Sequence, residues 1–169
     1  MKKIFALMLA LCLMLGCTAV AENAVSWEDV APTLEAAGVS GQFYTFDAIS
    51  VALFVPEGAS PAELPDESYI GYFTSDDGDA DTSAVQYINV DGLTLEAYYE
   101  MLKSTDGVTE LEAGTVNGLP CLSYEYNNCL VCSFTTEKGY ILEVVVGPLA
   151  NDAEKVAASF VLASIQAVE

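Results

Sequence analysis

The sequence predicts an α+β fold, a single antiparallel sheet of about seven to eight strands with helices packed on both faces. Three observations predict it. Short runs of alternating aromatic and aliphatic residues recur between turn signals, three segments carry apolar residues at helical spacing, and the last runs can be counted into register across their turns.

Taken in order, Ser26 is placed to cap a helix carrying Trp27, Val30, Leu34 and Ala37, with Gly38 as its stop, and Pro32 predicts a later start or a bend. Four strands follow: Gln42 to Phe46, Ile49 to Val55, Tyr69 to Thr74 and Ser83 to Val90. Between the second and third, Pro56 to Ser68 holds three prolines and several acids and reads as a surface loop inside one domain. Thr94 precedes Leu95, Tyr98 and Leu102 at spacings of three and four, which predicts a second helix ending before Asp106-Gly107. A meander comes next, with Asn117-Gly118 as a type I′ hairpin signal, Asn127-Asn128 as a weaker one and Glu137-Lys138-Gly139 as a third turn. Asn151 and Glu154 then form a capping pair for a last helix with Val156, Ala157, Phe160, Val161 and Ile165.

Counting across the meander turns places Leu130 opposite Val146, Cys132 opposite Val144 and Phe134 opposite Leu142 on one uniformly apolar side. The other side carries Ser133, Thr135 and Glu143 beside Val131, Ile141 and Val145, which predicts only partial burial. Helices on both faces are therefore expected.

The amino terminus is set apart from this fold. Lys2 and Lys3 precede the apolar run Ile4 to Leu15 and then small residues up to Ala21, the layout of a secretory signal. Such a run is too short for a roughly 30 Å hydrocarbon core. Ala19-Val20-Ala21 suits a signal peptidase, giving a signal peptide over residues 1–21 and a single domain over 22–169. The alternative is a lipoprotein signal over residues 1–16, because Met14-Leu15-Gly16-Cys17 resembles a lipobox and Cys17 would then carry lipid. The first reading is preferred because Met14 stands where lipoproteins usually carry Leu. Either way the chain is expected outside the cytoplasm, secreted or at the cell surface.

Without residues 1–21, three lysines stand against 25 acids, a formal charge of −22, and the chain has neither arginine nor histidine. That balance repels phosphate backbones and removes the bidentate donors that grip them, so nucleic acid, nucleotides and anionic lipid are excluded as partners. A protein or small ligand is expected instead, with basic surfaces favoured and a membrane reached only through lipid on Cys17. The charge also predicts a soluble monomer.

The candidate sites are few. Asp76, Asp77, Asp79 and Asp81 put alternate carboxylates on a loop, as calcium requires, which makes calcium the candidate cofactor. An EF-hand nevertheless fails, since Thr82 stands where glycine is needed and Ile88 where the bidentate Glu is needed. The loop is read as a solvated turn, with a calcium-dependent module using Asp76 to Asp81 as a further alternative for function. Cys129-Leu130-Val131-Cys132 lies inside a strand, where residues three apart face opposite ways, so it is not read as a redox pair. Cys121 and Cys132 should share a face on neighbouring strands, diagonally offset, which permits a disulfide, with buried thiols as the alternative. Phe43, Tyr44, Tyr69, Tyr72, Phe73, Tyr98 and Tyr99 fit a sugar-binding face in principle, but at strand and helix spacing they read as core.

No catalytic residue is assigned. Without histidine there is no Ser-His or Cys-His pair, and neither a nucleophile elbow nor a phosphate-binding glycine loop occurs. A small carboxylate-dependent extracellular hydrolase stays open as an alternative and needs two acids facing one cleft.

The order of elements, the step Ile49-Ser50-Val51-Ala52-Leu53-Phe54-Val55-Pro56, the Val116-Asn117-Gly118 turn before Cys121 to Tyr126, and the closing Ala163-Ser164-Ile165 together resemble the PsbP-like fold. The chain also resembles small secreted proteins of unknown function from gut Firmicutes. Members of the wider class are mainly binding or accessory subunits, among them a photosystem II extrinsic protein, a Ran-binding import factor and bacterial lipoproteins. The resemblance implies a non-enzymatic binding or accessory role and assigns no functional residue.

Overall fold

The structure, a computed structural model, describes residues 23–76, 82–88, 92–136 and 139–168. The elements run β1 (Asn23–Val25), α1 (Trp27–Ala37), β2 (Gly41–Phe46), β3 (Val51–Pro56), β4 (Ala59–Pro61), β5 (Tyr69–Ser75), β6 (Thr82–Ile88), α2 (Leu95–Lys103), β7 (Thr109–Val116), β8 (Leu119–Tyr126), β9 (Cys129–Thr135), β10 (Ile141–Gly147), α3 (Asp152–Ala163) and β11 (Gln166–Ala167). The large sheet has eight strands in the order β1-β7-β8-β9-β10-β6-β5-β4, antiparallel throughout except where β1 pairs parallel with β7.

The caps and turns follow from the residues that stand there. Thr94 Oγ1 accepts from the Ala97 N–H at the start of α2, and Asn151 Oδ1 accepts from Ala153 and Glu154 at the start of α3. Gly38 closes α1 in the left-handed region, and Pro32 lies inside that helix. Asn117 (φ 46°) and Gly118 (φ 80°) both adopt the positive φ that a type I′ turn requires.

The meander pairs as counted: Leu130 with Val146, Cys132 with Val144 and Phe134 with Leu142. These side chains join Val85 and Val116 in the main core beneath α3 and β3. The opposite face departs from expectation. Ser133 and Glu143 are buried rather than partly exposed, because α2 lies over them together with Leu122, Tyr124 and Val131.

The α+β class with helices on both faces stands, with one addition. Strands β2 and β3 leave the large sheet and form a three-stranded sheet with β11, in the order β11-β3-β2. Every residue from Val51 to Val55 is buried, because Val51 and Leu53 face the main core while Phe54 turns to α1 and α3. A strand covered on both faces shows no alternation. Beyond the short β11, Ser164 Oγ accepts from the Phe54 N–H at 2.8 Å and so supplies one more rung.

Candidate functional site

Helix α2 spans the face of the large sheet away from the main core, with Leu102 as its buried anchor. Beside it a cavity of about 470 Å3 opens, walled by Tyr69, Tyr72, Tyr98, Tyr124 and Tyr126, with Met101 on the helix side. Five tyrosine side chains from β5, α2 and β8 thus line one space.

Two of them are there because of a local irregularity. Residues three apart on a regular strand point to opposite faces, yet Tyr69 and Tyr72 both line the cavity. A register shift between Tyr69 and Gly71 places Tyr69 opposite Gln86 and Tyr72 opposite Ala84, while Gly71 sits opposite the core residue Val85. A Cβ at position 71 would come within 2.5 Å of the Phe46 ring, so any larger residue there would displace that ring. The Tyr69 and Tyr72 rings then meet edge to face, with centroids 6.0 Å apart.

Glu143 lines the cavity from the middle of β10 and is only 5% exposed. Its Oε1 accepts from the Tyr98 hydroxyl at 2.7 Å, from the Ser133 hydroxyl at 2.8 Å and from the Tyr124 hydroxyl. Its Oε2 accepts from Gln86 Nε2 at 3.1 Å. Burial, and then the Glu143 charge, push both phenols well above the ordinary tyrosine range, so both hydroxyls stay protonated and donate. Neither lysine among the described residues reaches this carboxylate: Lys103 pairs with Glu100, and Lys155 with Glu110 and Glu125. The result is a buried acceptor held by neutral donors at the base of an aromatic cup. Glu143 is the one acid among the described residues lining this cavity, so among the described residues no acid pair of a carboxylate hydrolase is assembled there.

The other sequence-predicted residues fall as follows. Cys121 and Cys132 lie on the same face of β8 and β9, diagonally offset through the pairs Cys121–Phe134 and Ser123–Cys132. They are thiols in the structure, as is Cys129. The hydrogen bond shared with Cys121, together with burial, pushes the Cys132 thiol well above its ordinary range. Asp76 is exposed, whereas Asp77, Asp79, Asp81 and Cys17 lie outside the described residues. Among the described residues, no three acids or cysteines converge as a metal site.

The aromatics divide. Phe73 is core, Phe43 meets Trp27 and Phe54 edge to face, and Tyr44 meets Phe73 likewise; Tyr98 and Tyr99 pack against the core cluster under α2, Tyr98 also lining the cavity, while Tyr69 and Tyr72 line the cavity. Sequence reasoning missed Gln86, Tyr124, Tyr126 and Glu143 as site residues. The signal was present in the cross-strand pair Glu143–Ser133, a charged residue inside an apolar strand set opposite a hydroxyl.

No family model matches this chain, and no curated protein matches it. Among solved structures it is similar to cyanobacterial PsbP (CyanoP) from Synechocystis sp. PCC 6803, with a TM-score of 0.57 and 14% identity over 76% of this chain and 92% of that one. It is also similar to the Ran-binding protein Mog1p of Saccharomyces cerevisiae, with a TM-score of 0.43 and 12% identity over 78% of this chain and 97% of that one. The first likeness shows a PsbP-like fold; the second is too loose to carry an argument.

Proposed function

We propose that this chain is an exported, non-enzymatic binding or accessory domain whose ligand docks in the tyrosine-lined cavity over Glu143. The observation that carries the reading is the buried carboxylate. Removing such a charge from water costs several kcal/mol, and neutral donors offset only part of that. A position that served packing alone would be better filled by an aliphatic residue, as at the neighbouring Leu142, Val144 and Val145. A charge kept at that cost, inside a cavity of ligand size, marks a site. Export rests on residues 1–21, with the domain either free or held by lipid on Cys17; among the described residues no helix is long and apolar enough to cross a membrane.

Thermal unfolding of the full exported protein against amines, sugars, carboxylic acids and short peptides tests this. At least one class should raise the wild-type midpoint by several degrees at about a hundredfold excess over its Kd, and should do so less in Tyr72→Ala. If no class raises it, the cavity is not a binding site.

An exported domain would meet an oxidising compartment, and on that reading we also propose a Cys121–Cys132 disulfide, worth about 2–3 kcal/mol for so short a loop. Alkylation of the denatured, unreduced protein checks it within the domain. Modification of Cys129 alone supports the bond, and modification of all three cysteines excludes it.

A further inference from the structure

We infer that the cavity over Glu143 selects organic cations, namely a protonated amine carried on an apolar body. This rests on the binding reading above and specifies its ligand.

Three independent observations converge on positive charge. The first is the carboxylate, which neither described lysine neutralises. Its Oε1 already takes three hydroxyl donors, but among the described residues Oε2 takes only Gln86, leaving acceptor capacity for a ligand N–H. The second is the wall. Tyrosine faces carry negative electrostatic potential, and a cation within about 6 Å of a ring centroid is attracted to it, more strongly where water is excluded. The chain uses this contact elsewhere, with Lys103 Nζ lying 5.5 Å from the Tyr99 centroid. The third is the surrounding field. A chain with 25 acids and five basic residues carries a net negative field that disfavours anions and concentrates cations.

The same features weigh against the competing ligand classes. An anion would meet Glu143 and the tyrosine rings with no basic residue among the described cavity-lining side chains. A sugar would stack on the tyrosines, but its hydroxyls would find the nearest donors committed to Glu143. An amine uses both the aromatic wall and the open acceptor. The volume of about 470 Å3 lies within the roughly 300–1,000 Å3 usual for small-molecule sites.

The experiment is calorimetric titration of the full exported protein with phenethylamine, 2-phenylethanol, 3-phenylpropionate, choline and maltose. Phenethylamine should bind at least about tenfold more tightly than the alcohol or the acid, choline should bind through the tyrosine faces, and added salt should weaken both. Glu143→Gln, which keeps the side-chain volume, should weaken phenethylamine at least about tenfold. Tyr72→Ala, at a half-exposed position, should weaken both cations while leaving the fold intact. Equal affinity for phenethylamine and 2-phenylethanol, or an unchanged affinity in Glu143→Gln, overturns the cation assignment. Maltose or 3-phenylpropionate binding more tightly than phenethylamine also overturns it, but leaves the cavity as a binding site. Absence of binding by all five probes, with no stabilisation in the broader panel, overturns both readings.

Discussion

Replacing Asn117 with alanine is expected to lower stability by about 3–5 kcal/mol, a drop of roughly 10 °C in the unfolding midpoint of a domain this size. The turn alone would not produce so large an effect. Asn117 accepts from the Trp27 N–H at 2.6 Å and donates to the Ala163 and Ile165 carbonyls at 2.9 and 2.7 Å. Its own N–H reaches the Val25 carbonyl. One side chain therefore joins the β7–β8 hairpin to the start of α1 and the end of α3. Alanine leaves three half-buried backbone groups without these partners and also holds a Cβ residue at φ 46°, which costs about 1 kcal/mol. Asn117→Gly relieves the backbone while losing the same bonds, so it should fall about 1 kcal/mol short of the alanine effect. Urea unfolding of the three proteins decides it. A loss below about 1 kcal/mol in Asn117→Ala would show that the ties do not hold the helices in solution.

At Glu143 the expected result is a wide separation between two substitutions. Glu143→Ala should cost about 2–4 kcal/mol, because Tyr98, Tyr124, Ser133 and Gln86 all lose their acceptor. Glu143→Gln keeps a carbonyl oxygen for the three hydroxyls, and the Gln86 amide can turn over to accept from the new NH2, so the cost should be about 1 kcal/mol or less. Chemical unfolding measures both. If glutamine proves as damaging as alanine, the charge itself is part of the folding balance and cannot be assigned to ligand binding alone.

Much of the fold was legible in local residue patterns. Hairpin register depends on turn length and side-chain alternation, so Leu130, Cys132 and Phe134 could be set against Val146, Val144 and Leu142 before any coordinates. Caps are equally local, which is why Thr94 and Asn151 marked their helices correctly. The bulge at Tyr69 to Gly71 was not legible, because it is a property of the pairing with β6 rather than of the strand's own residues, and the Phe46 ring that fills the space beside Gly71 comes from another sheet. Nor could alternation reveal that β3 is covered on both faces, since that depends on where α1 and α3 pack.

The sequence by itself determined the acidic balance, the three helices and every strand except the short β1, β4 and β11, because each rests on composition or on interactions among residues close along the chain. The tertiary structure alone decided that Glu143 is buried rather than half-solvated and that tyrosines from β5, α2 and β8 surround one cavity. The physical reason is that both outcomes depend on α2 lying across strands distant from it in sequence, and burial is a property of that packing rather than of any residue's neighbours along the chain.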